Sequence, residues 1–240
     1  MHWEELDAGG TRLLEETGPR LRATLAWDNF SRPKSGLLNR FEANFYFGRA
    51  DYDGQTITGI PATTDNYYVG YGGEAMGGWR FGDTKGIDLL GALGVDVWRR
   101  DIRNGTTNSG LPTQGYIEDY LIAFGRLGLG AYYMSEDWQA HLALGAKRPL
   151  WTYERVYLSD AGYDRDITLR PGKETSGFVR LQVDFGPGEA SRRVFAALFY
   201  DSWRFGASNT ETASSGAGTV SFMQPESHMD VIGLEVGMRF

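Results

Sequence analysis

The chain contains no cysteine, which excludes disulfide bonds and thiolate metal sites. No stretch approaches the roughly 20 consecutive apolar residues that a transmembrane helix needs. Basic residues are in the minority, with 24 Lys and Arg against 31 Asp and Glu, and the net charge of −7 argues against a nucleic-acid partner. Histidine is scarce, at 3 residues, so few side chains could act as bases near neutral pH.

A secretion signal is also missing from the start of the chain. The opening sequence, MHWEELDAGGTRLLEE, has neither a basic start nor an apolar core. If the protein is exported, we expect the numbering to describe a mature or shortened chain. The 240 residues are enough for one sizeable domain or a mid-sized barrel, and we expect a single domain over residues 1–240.

The end of the chain alternates with a period of two. Its apolar set is Ile232, Leu234, Val236, Met238 and Phe240, and the residues between are Val231, Gly233, Glu235, Gly237 and Arg239. Side chains of a strand point alternately to opposite faces, so this pattern predicts one apolar face and one small or charged face. The apolar face suits lipid, and the other face suits a polar interior.

This terminal strand resembles the last strand of small bacterial outer-membrane β-barrel proteins, which also closes on an aromatic residue. The resemblance implies that Phe240 belongs to the signal read by the barrel assembly machinery. The composition agrees, because 33 Gly, 13 Tyr, 13 Phe and 7 Trp suit crowded barrel interiors and aromatic girdles. An ordinary half-buried strand of a soluble sandwich is the alternative interpretation.

Similar alternation recurs upstream, and no segment keeps a helical period. Strands are indicated near residues 21–27, 40–47, 68–81, 87–97, 120–129, 140–147 and 177–185, and a segment at 193–205 is apolar on both faces. With the terminal strand, these make nine. Bacterial barrels use an even number of strands, so we expect a closed antiparallel up-and-down transmembrane β-barrel of about 10 strands, with 8 as the alternative. His2–Leu6 could begin the tenth strand, although it is much shorter than the ~9–11 residues that span a bilayer.

Connection lengths alternate in the same regular way. Short connections fall at 31–36, 83–85, 135–137 and 186–190, and long polar ones at 49–66, 101–115, 157–172 and 206–227. Short periplasmic turns and long extracellular loops are typical of outer-membrane barrels.

The inward set is rich in charge, which predicts an interior polar network that fixes the shape of the barrel. Its proposed members are Arg40, Glu42, Glu74, Arg80, Asp88, Asp96, Arg126, Arg180, Asp184, Glu235 and Arg239, and Arg22, Asp28, His141 and Lys147 share that face. The alternative is a narrow, porin-like conduit for ions or small polar solutes. A narrow barrel filled by this many Arg and Tyr side chains favours the closed interpretation.

Catalysis has thin support, and we assign no catalytic residue. Omptin proteases and lipid A deacylases are barrels of similar size, so His228 at the outer end of the last strand invites comparison with them. Ser227 and His228 are neighbours and therefore lie on opposite faces of a strand, which prevents a nucleophile–base hydrogen bond. A rim protease or lipid hydrolase remains a second alternative.

Two further patterns have simple interpretations. Asp51 and Asp53 before Gly54 weakly suggest a calcium loop, but the later bidentate Glu is missing and a polar loop tip is favoured. Aromatic residues near strand ends predict anchoring at the lipid–water interface. They are Trp27, Trp79, Trp98, Tyr132, Tyr133, Trp138, Trp151, Tyr153 and Trp203.

Taken together, these patterns predict an integral protein of the Gram-negative outer membrane with a structural or surface-interaction role. We expect it to need no cofactor and no metal. Its expected partners are outer-membrane lipid, lipopolysaccharide and the barrel assembly machinery, and a monomer is favoured.

Overall fold

A computed structural model describes residues 1–30, 35–56, 59–186 and 193–239, without the side chain of Arg239. The described part of the chain is almost entirely β. Its strands are β1 (His2–Leu6), β2 (Arg12–Thr17), β3 (Arg20–Asp28), β4 (Gly36–Gln55), β5 (Pro61–Gly82), β6 (Lys85–Ile102), β7 (Gly105–Thr107), β8 (Pro112–Thr113), β9 (Ile117–Met134), β10 (Trp138–Tyr157), β11 (Ile167–Leu169), β12 (Ser176–Phe185), β13 (Arg193–Phe205), β14 (Glu211–Ser215), β15 (Gly218–Phe222) and β16 (Glu226–Arg239). One 3-10 turn lies at Ser159–Ala161.

The wall strands form an antiparallel ring. Around the ring, β4, β5, β6, β9, β10, β12, β13, β16, β1 and β2 each pair with the next, and β2 pairs back to β4. Strand β3 pairs with β4 in the same register as β2, so β2 and β3 occupy one place in the wall. The wall therefore has ten positions, which confirms the predicted fold class of a closed up-and-down β-barrel. The end with the short turns is called the inner end here, and the opposite end the outer end.

The period-two pattern sorts side chains as expected. In β16 the outward Leu234 is 74 % exposed, whereas the inward Glu235 is largely covered and binds Arg180. Glycine at position 233 leaves room for the ring of Phe199, which a Cβ atom there would strike. Small inward residues in the last strand thus accommodate large aromatic residues from β13.

Strand β13 could not be oriented from its sequence, because both of its faces are apolar. In the structure Trp203 and Phe205 are buried inside the barrel, and Val194 and Leu198 are exposed on the wall. Both faces can be apolar because the inward side packs into an aromatic core and the outward side meets the surroundings of the wall.

The long connections are more ordered than the sequence pattern indicated. Strands β4 and β5 extend through most of the predicted loop at 49–66 and stay paired as far as Gln55 and Pro61. Asp51 and Asp53 consequently lie in β4, opposite Asp65 and Thr63, so both the favoured polar loop tip and the weaker calcium-loop interpretation are wrong. Antiparallel strands can continue past a bilayer because their backbone groups are already paired with each other.

The described residues contain no helix long and apolar enough to cross a membrane. At the outer end, β14 and β15 form a hairpin that packs over β11. A small apolar cluster joins these elements, made of Val156, Leu158, Ile167, Leu169 and Ala213. The outer end therefore carries a packed cap.

Candidate functional site: the barrel interior and its outer cap

The outer half of the lumen is organised around one guanidinium. Arg100 is 1 % exposed, and its Nη1 lies 3.0 Å from Glu5 Oε1 and 2.8 Å from Glu118 Oε2. Its Nε donates to Glu16 Oε1 at 2.9 Å. A buried Arg satisfied by three carboxylates forms a rigid link between opposite parts of the wall, because the fork geometry fixes its partners.

The carboxylates of this cluster have further donors. Asn66 donates to Glu16 at 2.8 Å and the Tyr68 hydroxyl also donates to it. Tyr120 donates to Glu118 at 3.0 Å. These bonds reach across five different strands, so the cluster holds the outer half of the barrel closed.

An aromatic layer lies directly beneath the Arg100 cluster. Trp98 stacks on Tyr120 with ring centroids 4.8 Å apart, and Trp203 stacks on Phe205 at 5.8 Å. Phe124 meets Trp203 edge-on at 5.2 Å. Packed rings of this size occupy much of the lumen at this level.

Ion pairs fill the middle of the lumen. Arg126 reaches both Glu74, at 3.2 Å, and Asp201, at 3.1 Å. Lys147 lies 2.7 Å from Asp201 and 3.5 Å from the centre of the Trp203 ring. These pairs join strands that are not neighbours in the wall. Charges paired in this way are tolerable in a lumen shielded from water, whereas lone charges would be expensive.

The inner half of the lumen contains a small cavity of about 80 Å³. Arg80 makes a two-pronged pair with Asp88, at 2.9 and 2.8 Å, and His141 Nε2 lies 3.1 Å from the same carboxylate. Phe30 covers His141 edge-on at 5.4 Å. Both oxygens of the Asp88 carboxylate thus have partners. His141 contacts this carboxylate and the Phe30 ring, and neither group is a nucleophilic hydroxyl.

The proposed network residues other than Arg239 lie on the inward face of the wall. Those with ion pairs are Arg40 with Glu42, Arg80 with Asp88, Arg126 with Glu74, and Arg180 with Glu235. Asp96 accepts a hydrogen bond from Tyr46, and Asp184 accepts one from Gln182. The side chain of Arg239 and the whole of Phe240 lie outside the described residues.

Sequence reasoning missed the charged cluster around Arg100, although it is deeply buried. Arg100 lies past the end of the strand predicted at 87–97, Glu118 lies before the strand predicted at 120–129, and Glu16 lies before the strand predicted at 21–27. Continuing the alternation of β6 from Asp96 would have placed Arg100 inward, and the same step in β9 would have placed Glu118 inward. The alternation that places both residues inward is present in the sequence, but the strands were predicted too short to include them.

Aromatic residues divide between the girdles and the core. Trp27, Trp79, Trp138 and Trp151 are exposed on the outside of the wall, where anchoring was expected. Trp98, Tyr132 and Trp203 are buried inside, so the anchoring assignment is wrong for these three. The parity of the strand decides this: an aromatic residue near a strand end faces lipid only if its register points outward.

The candidate rim residues lie on opposite sides of the wall. Ser227 is buried, donating to the Pro225 carbonyl and accepting from Gln224. His228 faces outward, with Nδ1 3.1 Å from Glu4 and Nε2 3.1 Å from Glu226. Asp230 shares its face but pairs with Arg204 and Tyr200. The predicted separation of Ser227 from His228 is confirmed.

The outer cap is held by its own polar contacts. Arg165 donates to the Thr212 carbonyl at 2.8 Å, and Asp164 accepts from the Ser214 amide at 2.8 Å. Asp166 accepts a 2.6 Å hydrogen bond from the Ser159 hydroxyl and pairs with Arg155. The Ser159 bonds, with Arg155, hold the pKa of Asp166 below its ordinary value despite partial desolvation.

An antiparallel ring of ten strands, apolar outside and packed with ion pairs inside, defines a transmembrane β-barrel. The outer membrane protease OmpT from Escherichia coli has a similar structure, with a TM-score of 0.54 and 12 % sequence identity. The match covers 99 % of this chain and 90 % of that one. No protein-family model and no curated protein matches the sequence. At this identity the likeness concerns the fold alone.

Proposed function

We propose that this protein is a closed β-barrel of the bacterial outer membrane with a structural or surface-interaction role. The observation that carries the proposal is the filling of the outer half of the lumen by the Arg100 cluster and the aromatic layer beneath it. The inner cavity is lined by Arg126 and Asp201, so a solute entering from the inner end meets these ion-paired side chains before it reaches the aromatic layer. Fold likeness to an outer-membrane protein supports the location.

The packed cap supports a role at the cell surface. Its apolar cluster and the contacts of Arg165 with Thr212 give the β14–β15 hairpin a defined shape. A shaped outer surface can be recognised by another molecule without a large ordering cost. The surrounding partners are membrane lipid and lipopolysaccharide along the wall, with the assembly machinery acting during insertion. A monomer suits a barrel whose ion pairs are satisfied internally.

Conductance in planar bilayers tests the closed lumen. We expect no discrete conductance steps from the natural protein, and steps from a Trp98→Ala, Trp203→Ala double variant that removes the two buried indoles. The matched control is Trp79→Ala, Trp138→Ala, which removes two indoles from the outside of the wall. Regular steps from the natural protein would replace the proposal with the narrow-channel alternative.

A second experiment addresses the cap. Replacing residues 211–222 with a short Gly-Ser turn should leave refolding and heat-modifiability of the barrel intact, because the hairpin pairs with itself and not with a wall strand. We expect binding of the protein to whole cells or envelope components to fall in this variant. Unchanged binding would remove the cap from the surface-interaction proposal.

A further inference from the structure

The wall of the barrel is not paired along its whole length. Strand β16 pairs with β13 from Ser227 to Arg239, but its pairing with β1 stops at Asp230. Strand β3 pairs with β4 on one side, and no described residue pairs with its other side. Two strand edges, Arg20–Asp28 and Val231–Arg239, therefore face each other below β1 without backbone partners.

The gap between these edges is one strand wide. At the outer end, β1 pairs with β2 on one side and β16 on the other. Since paired strands lie about 4.8 Å apart, β2 and β16 are held about 9.5 Å apart. Strand β3 continues the register of β2 on β4, so the same spacing extends toward the inner end.

An open slot of this kind is incompatible with the hydrocarbon region of a bilayer. About half of the backbone N–H and C=O groups of each nine-residue edge point into the slot, because strand residues alternate in the direction of their hydrogen bonds. Each such group left unpaired in lipid costs several kcal/mol. Water-filled barrels close on themselves for the same reason.

Two side chains along the slot carry polar atoms that could form further hydrogen bonds. The Nε of Arg22 and the hydroxyl of Thr24 are buried without a hydrogen-bond partner, and both lie on the inward face of β3. On the outward face, Leu25 is 79 % exposed and Leu234 is 74 % exposed. The slot is thus polar toward the lumen and apolar toward the outside, as a wall strand requires.

We propose that an extended polypeptide segment of about nine residues fills this slot, antiparallel to both edges, and leads directly into Met1 in the natural protein. The direction and line of β1 support this occupant. Strand β1 runs toward the outer end, and Met1 stands at the top of the slot with its amine bonded to the Gly18 carbonyl. A segment that runs antiparallel to β16 and β3 ends where β1 begins. The segment and β1 would therefore form one continuous strand, which completes the wall.

The register specifies the pattern of the segment. His2 lies between Thr17 and Asp230, so each step down the slot advances one residue on both edges. One position falls between Leu21 and Leu234 and faces outward, where it should be apolar. The next falls between Arg22 and Glu235 and faces the lumen. A polar residue there can accept a hydrogen bond from the unpartnered Arg22 Nε.

Hydrogen exchange in lipid vesicles tests the proposal. The 240-residue chain is compared with one in which nine residues of this alternating pattern are fused before Met1. The fusion should slow amide exchange in 20–28 and 231–239 at least about tenfold. A matched control shifts the same nine residues by one position, which turns their apolar side chains toward the lumen and should give no slowing. Equal protection in all three chains would overturn the proposal.

A cysteine pair distinguishes the other possible occupants, because residues 1–240 contain no cysteine. With Leu21→Cys and Leu234→Cys in the fused chain, an intervening strand keeps the Cα atoms about 9.5 Å apart, too far for a disulfide. An intramolecular disulfide would show that the edges pair directly, and an intermolecular one that a second copy fills the slot. Either result overturns the proposal, as would a natural gene lacking an alternating segment before the Met1 codon.

Discussion

A charge placed in the middle of the lipid-facing wall should destabilise the protein far more than the same charge at the outer rim. Leu127 in β9 is 73 % exposed on the outside of the wall. It lies six residues from Tyr133, which marks the inner girdle, so a rise of about 3.4 Å per residue at a tilt of about 40° puts it about 15 Å higher. This is close to the middle of an apolar band about 25 Å tall.

Leu127→Arg should therefore lower the free energy of unfolding by ~2–4 kcal/mol, the cost of an Arg near the bilayer midplane. The matched control is Leu111→Arg, at a residue that is 59 % exposed in the turn between β7 and β8. There the same change should cost about 0–1 kcal/mol. A loss of about 3 kcal/mol corresponds to a shift of more than 100-fold in the folding equilibrium.

The measurement is reversible guanidinium unfolding in lipid vesicles, followed by tryptophan fluorescence. The difference between the two variants removes contributions from the change of residue type itself. If both variants lost the same free energy within about 0.5 kcal/mol, Leu127 would not face lipid, and the assignment of the wall faces would fail.

Three other expectations follow. Arg100→Gln should lower the free energy of unfolding by about 3–5 kcal/mol in the same assay, because it leaves buried carboxylates without their cation. The control Arg99→Gln removes an exposed ion pair and should cost at most about 1 kcal/mol. Similar losses for the two variants would contradict the role of the Arg100 cluster. Because the pKa of Asp166 is lowered in the folded protein, Asp166 stabilises the cap above its ordinary pKa of about 4, and this stabilisation is lost as pH falls through the lowered value. Amide exchange in the cap should become faster as the pH falls through that range. Asp166→Asn should abolish this pH dependence. Deletion of Phe240 should reduce surface-exposed protein in cells far more than it reduces refolding in detergent, and normal assembly in cells would argue against an assembly signal at this residue.

Local alternation was enough to predict the class of fold. A period of two over eight or more residues means that the two faces of a strand lie in two different environments. Lipid outside the barrel suits the apolar face, and the polar interior suits the other face. The outward placement of Leu234 and the inward placement of Glu235 followed from this period alone. Ten wall positions followed from the antiparallel rule once His2–Leu6 was counted as a strand.

Other features depended on which strands meet across the lumen. Arg100 binds carboxylates from β1, β2 and β9, which are separated by 84 and 95 residues for Glu16 and Glu5, and no local pattern reports such contacts. The aromatic core likewise joins Trp98 to Trp203 and Trp203 to Phe124 across the interior. The period of two determines whether a side chain points into or out of the barrel. Which side chain it contacts inside the barrel is determined by the register of the strands and by the curvature of the closed sheet. The unpaired edges of β3 and β16 became visible for the same reason, since a missing neighbour is a property of the assembled wall.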